Sequence, residues 1–498
     1  MQPVRKFFHS VCSFNYTWSH LKFCSTNSVQ WNSVKVRLSS TAADIATEDS
    51  PKKTRKKRKV KSAENDAIPE NIIEYFKSKH QSAQLEGFPS DYLIKKQQTP
   101  DHLYIVDESV AKTVAGIVCK NSQDDSPIVE INPGLGILTQ ELLKVSKQKI
   151  HLYEVDNEFN GFLEELVKKN RRRLSLRNAD LVFLYKLAYQ DKLDNGNRVE
   201  SLLNDKLPKR NWKEAPNARI VGAVGSQNFF RHLVYSVIYQ SSLLSYGRSE
   251  MFLIVPPPIF IQLTCTKDAG YMTYRYLAVL FQIFFQYELL EKVPRLAFLP
   301  WQQKHRNQKY KKLFEVRSCD ADYLYLVKVT PRQETYDLCA PDDMEALWFF
   351  VKQSMISRTK RIIPSLEKWV PYCGLRLISQ KVRAKEFCDE GKPRAKLPSF
   401  VQPCRPISCQ DYPSNINIFT QFGDLTPSEM LSLFHQFRNW PEYKHSPFLP
   451  LMEKSLLKMF TQEDKTTDAD TSSSEKPDKN DDKDQSVALQ TSTHGKNA

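Results

Sequence analysis

The stretch Glu130-Ile131-Asn132-Pro133-Gly134-Leu135-Gly136-Ile137-Leu138-Thr139 decides how this chain folds. The apolar run from Ile128 to Ile131 is typical of a buried strand. Leu138, Leu142 and Leu143 then follow at helical spacing. The two glycines lack a Cβ, so the backbone between strand and helix can turn sharply and a ligand can approach it closely. A helix that begins there directs free N–H groups at that ligand.

A second predicted strand, from Lys149 to Val155, ends in Glu154 and Asp156. A carboxylate at the tip of the second strand can hold the hydroxyls of a ribose. The stretch therefore predicts a site for a nucleoside-containing ligand. Only Gly-x-Gly is present, not the three-glycine dinucleotide fingerprint. An ordinary strand–helix turn followed by a solvated carboxylate remains the alternative.

The form Pro-Gly-x-Gly-x-Leu-Thr, followed by Glu154 and by Asn178-Ala179-Asp180, resembles the rRNA adenine N6-dimethyltransferase family. The resemblance implies an α/β fold: a class I S-adenosylmethionine-dependent methyltransferase domain, Rossmann-like, with a small helical C-terminal domain. It implies that Asn132, Gly134 and Gly136 belong to the cofactor loop. By the same resemblance Glu154 binds the ribose and Asp180 contacts the adenine.

The segment from His102 to Asp107 stands where the family has Gly-Gln-Asn-Phe-Leu-x-Asp, a motif that covers the cofactor. Here His102 replaces the glutamine and Leu103 replaces the asparagine. Ile105 is the best remaining candidate for a cofactor contact. We therefore expect weak or vestigial binding of S-adenosylmethionine.

A strand-like run from Ala218 to Val224 leads to the place of the family's Asn-Leu-Pro-Tyr motif. In the family the asparagine and a backbone carbonyl accept hydrogen bonds from the adenine N6 amine, and the aromatic ring stacks on the flipped base. Ala223, Gly225 and Ser226 replace the asparagine, the proline and the aromatic residue. Alanine cannot accept such a bond and serine cannot stack, so we assign no catalytic residue. Phe229 and Phe230 are expected to face the core.

The next segments alternate as in an α/β fold. The two last strands are predicted to form an antiparallel pair at one edge of the sheet. The predicted elements are a helix at His232–Leu244, a strand at Met251–Val255, a helix at Tyr274–Phe285, and strands at Tyr287–Val293 and Tyr323–Val329.

A dense basic loop lies between those two strands. Positive charge beside aromatic rings, here Trp301 and Tyr310, suits single-stranded or melted nucleic acid. A solvated hairpin loop is the alternative interpretation. The candidate nucleic-acid-binding residues are Arg306, Lys309, Lys311 and Lys312.

Four segments resemble one branch of the family, mitochondrial transcription factor B. They resemble its second paralogue more than its first, which is the active methylase. They are Tyr246-Gly247-Arg248, Leu299-Pro300-Trp301, Leu324-Tyr325-Leu326 and Thr330-Pro331-Arg332-Gln333. This resemblance implies an initiation factor that acts in the matrix, at the nucleoid. The implied partners are mitochondrial RNA polymerase, the mitochondrial HMG-box transcription factor A and promoter DNA, with small-subunit rRNA as a further candidate.

The composition agrees with a polyanionic partner. The 498 residues carry a net charge of +15, which favours binding to nucleic acid. Ten scattered cysteines without a Cys-x-x-Cys pair indicate reduced thiols, with no metal site and no disulfide framework. No apolar run approaches the ~20 residues that span a bilayer, so no membrane association is expected.

Residues 1–43 contain no Asp or Glu, and they combine basic residues with several serines. This composition is typical of a mitochondrial transit peptide, although a disordered basic arm would look similar. Residues 44–66 form a basic linker around Lys52–Lys61, which either binds phosphates or is simply solvated.

The predicted domains are a methyltransferase-like unit at 67–335 and a helical C-terminal unit at 336–460. Helices are predicted at Asp342–Met355 and Ile362–Val370. Thr426-Pro427-Ser428-Glu429 forms a capping box that opens a helix at Met430–Phe437. The stretch Lys381–Pro413 looks like an insertion, and residues 461–498 should be disordered.

Two classes of function remain: a transcription initiation factor, and an active rRNA adenine dimethyltransferase. The replaced motif at residues 223–226 favours the factor.

Overall fold

The computed structural model describes residues 68–79, 81–94, 101–120, 126–268, 273–301, 320–379, 403–413 and 416–462. The predicted transit peptide at 1–43 and the basic linker at 44–66 lie outside the described residues. So do most of the insertion and nearly all of the C-terminal tail.

The centre of the fold is a nine-stranded mixed sheet. Its main path runs β4-β3-β2-β5-β6-β9-β7, and β1 pairs with both β5 and β8. The strands are β1 (His102–Ile105), β2 (Ile128–Ile131), β3 (Ile150–Glu154), β4 (Leu174–Asn178), β5 (Arg219–Val224), β6 (Glu250–Val255), β7 (Phe285–Pro294), β8 (Phe298–Leu299) and β9 (Tyr323–Pro331). The α/β Rossmann-like fold class is thereby confirmed.

Five neighbouring strands, β4, β3, β2, β5 and β6, are parallel. Every residue of β2, β3 and β5 is buried, including the polar residues Glu130, His151 and Glu154. Parallel sheets carry helices on both faces, which explains this continuous burial.

The predicted antiparallel pair at one edge is confirmed. β9 pairs antiparallel with both β6 and β7, so that β7 is the edge strand. A register shift between Leu289 and Glu291 marks an irregularity in β7.

Helices cover both faces of the sheet. One face carries α1 (Glu70–Ser78), α2 (Ser82–Glu86), α3 (Ser90–Ile94), α4 (Glu108–Lys120), α5 (Ile137–Val145) and α6 (Asn160–Lys169). The other face carries α7 (Leu184–Asp194), α8 (Arg198–Leu203), α9 (Gln227–Ile238), α10 (Pro257–Thr264) and α11 (Tyr276–Phe284).

The remaining helices form the C-terminal region. They are α12 (Thr335–Leu338), α13 (Met344–Ser354), α14 (Ile362–Leu366), α15 (Cys373–Ser379), α16 (Pro427–Arg438) and α17 (Phe448–Gln462). Their buried side chains belong to the same apolar cluster as α9 and α11. The Tyr274 hydroxyl donates to the Leu425 carbonyl at 2.8 Å across that junction. The boundary at residue 335 stays a prediction, since one core runs through it.

The predicted capping box at Thr426 is present. The Thr426 Oγ1 accepts from the Glu429 N–H at 3.3 Å, and the Glu429 carboxylate accepts from the Thr426 N–H at 2.7 Å. The helix α16 that it opens begins at Pro427, three residues before the predicted start.

Two predicted helices were extended well past their observed C-terminal ends. The helix predicted at His232–Leu244 begins at Gln227 and ends at Ile238, because Gln240 and Ser242 adopt positive φ angles and break it. A 3₁₀ turn, Ser242–Tyr246, then buries Leu243 and Leu244. The helix predicted at Ile362–Val370 ends at Leu366, whose carbonyl accepts from Trp369 and Val370 in a turn.

None of the cysteines among the described residues forms a disulfide. In the described ranges no helix is both long enough and apolar enough to cross a bilayer. The same ranges contain no group of three or more His, Cys, Asp or Glu placed to hold a metal ion.

Candidate functional site

The glycine turn follows β2 and depends on two left-handed backbone positions. Gly134 has φ +56° and Gly136 has φ +75°, values that side-chain-bearing residues rarely adopt. A Cβ on Gly134 would lie 2.8 Å from the Tyr104 ring, and one on Gly136 would lie 2.5 Å from a Leu166 methyl group. The turn therefore needs glycine at both positions, and helix α5 begins directly after it at Ile137.

The turn lies where the strand order reverses. β2 has β3 on one side and β5 on the other, and ligands of open α/β sheets bind outside the carboxyl ends of strands at such a point. A pocket with about 210 Å³ of empty space opens there, lined by Ile105, Asn132 and Ala223 among others. The predicted residues Ile105 and Asn132 therefore line this pocket.

Glu154, the predicted ribose ligand, is fully buried at the end of β3. Its carboxylate accepts hydrogen bonds from the Gly134 N–H at 2.9 Å, from the Val155 and Asp156 N–H groups at 3.0 Å, and from the Tyr104 hydroxyl at 3.3 Å. Burial raises the pKa of Glu154, and these donors work against that rise. A carboxylate offers about four acceptor positions, so a ribose hydroxyl would have to compete with an existing donor. Tyr104 is the only side-chain donor of the four.

Aromatic rings cover Glu154. The Tyr104 ring is fully buried and packs 5.0 Å from Tyr92 and 4.9 Å from Phe159 between centroids. Phe88 lies 5.9 Å from Tyr104. The Tyr92 hydroxyl also donates to Asp156 at 2.8 Å. The chain before β1 therefore closes over the carboxylates at the tip of β3.

Asp180, the predicted adenine contact, is bound to His102. The His102 Nε2 lies 2.9 Å from the Asp180 Oδ2, and the other oxygen accepts from the Val182 and Phe183 N–H groups. Burial alone would lower the pKa of His102, but the hydrogen bond and charge of Asp180 outweigh it and raise that pKa. His102 stands where the family resemblance implies glutamine, and its contact occupies one oxygen of Asp180, the carboxylate that is predicted to contact the adenine.

Glu130 lies beneath the same pocket and is buried. Its Oε2 accepts from the Thr139 hydroxyl at 2.8 Å. Burial, reinforced by the charge of Glu154, raises the pKa of Glu130 to about 8 despite the Thr139 bond. Glu130 therefore favours its protonated form at neutral pH.

The end of β5 contains the replaced base-orienting motif. Ala223 and Ser226 are buried, and the Ala223 carbonyl accepts from the Asn132 side-chain amide at 3.3 Å. Phe229 and Phe230 are buried as predicted, so neither ring faces the pocket. None of the four residues from Ala223 to Ser226 carries a side-chain amide or an aromatic ring.

The predicted nucleic-acid-binding residues Arg306, Lys309, Lys311 and Lys312 lie outside the described residues, and their role stays a prediction. Trp301, just before them, is half-buried. Its indole N–H donates to the Leu296 carbonyl at 3.2 Å, and its ring meets Tyr75 edge to face.

Sequence reasoning missed three features of this site: the aromatic cover from Phe88 and Tyr92, the His102–Asp180 pair, and the bond from Asn132 to β5. The cover lies more than thirty residues before the glycine turn, and nothing in its local pattern ties it to Glu154. The replacement of glutamine by His102 was visible, but its partner was not. Asn132 was singled out, yet only the neighbouring β5 strand reveals what its amide contacts.

The chain is similar to known proteins over much of its length. A family model described as ribosomal RNA adenine dimethylase matches residues 101–386. The chain is 44% identical over 385 residues to the mitochondrial dimethyladenosine transferase 2 of Drosophila melanogaster, covering 76% of this chain and 84% of that protein. It is 25% identical to the human protein of the same name, over 56% of this chain and 71% of that protein.

Among solved structures, the 23S rRNA methyltransferase ErmE matches with a TM-score of 0.36 and 15% identity. The match covers 68% of this chain and all of that one.

Proposed function

Because the chain belongs to the ribosomal RNA adenine dimethylase family, we propose that it uses the methyltransferase scaffold as a mitochondrial transcription initiation factor. In this proposal it works with mitochondrial RNA polymerase, beside the mitochondrial HMG-box transcription factor A, to melt promoter DNA and stabilise the open complex. The word mitochondrial in the names of its relatives supports that location.

The observation that carries the proposal is the end of β5. Methyl transfer to adenine N6 needs an acceptor that orients the amine and a ring that holds the flipped base. Ala223 supplies no side-chain acceptor, and its carbonyl already accepts from Asn132. Ser226 is buried and has no ring. A scaffold without these groups can still bind nucleic acid, but it is poorly equipped to position a base for chemistry.

The cofactor half of the scaffold is better preserved. The glycine turn, the start of α5 and Glu154 suit a nucleoside ligand such as S-adenosylmethionine, which supplies an electrophilic methyl group when bound. The donor set fits, but the space does not, because Tyr104 packs on Gly134 and Glu154 is covered. We therefore propose weak binding that requires the Tyr104 ring to move.

The second candidate is an rRNA adenine N6-dimethyltransferase acting on small-subunit rRNA. Two observations favour it: the names of the relatives, and the retained Gly134 and Glu154. Backbone carbonyls near residues 223–225 could still receive an N6 amine, since each carbonyl has two lone pairs.

Promoter-dependent run-off transcription tests the first candidate. Purified mitochondrial RNA polymerase and transcription factor A are assayed with and without the full-length chain, on a closed promoter and on a pre-melted bubble. On the closed promoter we expect transcript only when the chain is present. On the pre-melted bubble the transcript yield should depend less on the chain. Equal transcript yields with and without the chain on the closed promoter would contradict the proposal.

Methyl transfer to a small-subunit rRNA hairpin tests the second. The wild type should be slow or inactive. A double variant, Ala223→Asn with Ser226→Tyr, restores the family's asparagine and aromatic residue but leaves Gly225, and it is the matched control. Rapid dimethylation by the wild type would reverse the ranking of the two candidates.

Calorimetry with S-adenosylmethionine tests the proposed cofactor site. Tyr104→Phe keeps the ring but frees one position on Glu154, so it should bind more tightly than the wild type. Glu154→Ala should abolish binding. If neither the wild type nor Tyr104→Phe binds, the cofactor site does not function.

A further inference from the structure

A second basic surface lies far from the candidate cofactor site. Five of the six residues from Lys168 to Arg173, at the end of α6 and the start of β4, are Lys or Arg. The Arg173 guanidinium turns inward and donates to the Leu143 and Ser146 carbonyls, the former at 3.0 Å. Lys169, Arg171 and Arg172 are exposed. Arg173 thus anchors the turn, and its neighbours extend into solvent.

The segment before β3 adds two more cations to the same edge of the sheet. Lys147 and Lys149 are exposed. The Ile150 N–H donates to the Arg173 carbonyl at 2.8 Å, and Ile150 pairs with Leu174 in the parallel ladder. Paired strands lie about 4.8 Å apart, so Lys149 and Arg173 are neighbours. The two segments therefore form one surface at the amino ends of β3 and β4.

The positive field continues along the adjoining face of the sheet. His151 is buried there and bonds to the Ser175 hydroxyl at 2.6 Å. Burial, and then the charges of Lys206, Lys149 and Arg177, lower the pKa of His151 to about 4. Cations from three different segments thus converge on one place.

Few carboxylates balance these charges. Glu164 lies 3.9 Å from Lys168, and Asp205 lies 3.6 Å from Arg177. Within the described ranges, no carboxylate oxygen lies within 4 Å of the side-chain nitrogens of Lys147, Lys149, Lys169, Arg171 or Arg172. These five cations form what we call the amino-end surface.

We propose that the amino-end surface, Lys147, Lys149, Lys169, Arg171 and Arg172, binds the phosphate backbone of duplex nucleic acid. Clustered Lys and Arg are the groups that phosphates attract, with release of counterions. Residues 145–150 and 167–177 contain no aromatic residue, so the surface lacks the stacking platform that unstacked bases require. Phosphate contacts of this kind position a duplex without reading its sequence.

The location separates this surface from the proposed function. Ligands of the sheet bind at the carboxyl ends of the strands, whereas the amino-end surface lies at the opposite edge. A duplex bound there leaves the cleft at Glu154 free. The inference holds whether the chain serves transcription or methylates rRNA, because promoter DNA and structured rRNA offer the same phosphates.

The test uses the full-length chain and a triple variant, Lys169→Gln with Arg171→Gln and Arg172→Gln. Binding to a short fluorescein-labelled DNA duplex is followed by anisotropy at a series of KCl concentrations. Each lost phosphate contact removes about 0.9 from the slope of log K against log salt, so the triple variant should lose about 2 to 3 in slope and bind more weakly at low salt. A single-stranded probe should show a smaller loss.

Two further variants serve as controls. Lys368→Gln with Lys444→Gln and Lys454→Gln removes the same charge from exposed positions in the C-terminal region, and it should keep the wild-type slope. Lys169→Arg with Arg171→Lys and Arg172→Lys keeps the charge and should also bind normally. Circular dichroism confirms that each variant folds.

An unchanged slope in the folded triple variant would overturn the proposal. So would an equal loss in the C-terminal control, since the effect would then be one of net charge. A loss confined to the single-stranded probe would refute a duplex partner. Run-off transcription does not enter this test, so failure here is distinguishable from failure of the proposed function.

Discussion

At the scale of single residues, Glu130 has the most unusual environment in the site. It is buried in β2 and holds one hydrogen bond from Thr139, and burial raises its pKa to about 8. In the unfolded chain a glutamate has a pKa near 4.3. Between about pH 4.5 and 8 the folded state therefore binds a proton that the unfolded state has lost. The free energy of unfolding must fall across this range as pH rises.

The substitution Glu130→Gln should remove that dependence. The amide oxygen can still accept from Thr139, but it does not titrate. The wild type loses roughly 3 kcal/mol from this group between pH 4.5 and 7, so the variant should match it at pH 5 and exceed it at pH 8. Urea unfolding at the two pH values measures the difference. If the free energies of unfolding of variant and wild type differ equally at the two pH values, Glu130 is ionised in the folded protein.

The environment of a residue could be predicted from the sequence only where its contacts come from neighbouring positions in the chain. Gly134 and Gly136 were predictable, because a strand–turn–helix pattern surrounds them and the turn requires positive φ angles. The burial of Glu154 was not, since Tyr92 and Tyr104 come from segments far away in the chain. The partner of Asp180, His102, is separated from it by 78 positions. Proximity of this kind arises only from the fold.

At the scale of elements, strands were predicted more accurately than helix ends. β2 has the predicted bounds, and β6 differs by one residue, because buried strands are continuous apolar runs. The prediction of a helix at His232–Leu244 missed both ends of the observed helix. At the C-terminal end, the apolar residues Leu243 and Leu244 belong to a separate 3₁₀ turn. The cap at Thr426 was readable because all its atoms lie within four residues.

That cap gives a prediction for α16. Thr426→Ala removes the acceptor for the Glu429 N–H and should lower the free energy of unfolding by about 1 kcal/mol, the usual cost of losing an N-cap. Thr426→Ser keeps the hydroxyl and is the matched control, expected close to the wild type. Urea denaturation of the three proteins compares them. If alanine and serine behave alike, the hydroxyl does not stabilise the helix.

At the scale of the whole molecule, the C-terminal helices and the sheet share one apolar cluster. The Trp348 ring in α13 meets Tyr235 in α9 with 6.3 Å between centroids, and Tyr274 bonds across to Leu425. The sequence suggested two units, because strand patterns end near Thr335 and helical ones begin. Hydrophobic periodicity indicates whether a segment is a helix or a strand, but not which surface that segment packs against. The common core could therefore not be predicted from the sequence.

A shared core has a consequence for stability. Phe350 in α13 is fully buried, with Phe434 and Phe437 at 5.5 Å between centroids. Phe350→Ala leaves a cavity and should cost about 3–5 kcal/mol. If the sheet and the C-terminal helices unfold together, the substitution must lower the stability of both. Amide hydrogen exchange should then become faster in β5 and β6 as well as in α13 and α16.

Leu375→Ala is the control for that experiment, because Leu375 is 73% exposed on α15 and its truncation should leave exchange unchanged. Exchange that accelerates only in the C-terminal helices of the Phe350→Ala variant would show that they open independently, and that the predicted boundary at residue 335 separates two folding units. Acceleration in both regions would mean that the cluster around Phe350 stabilises β5, the strand that contains Ala223. The candidate site would then depend on helices that contribute no residue to it.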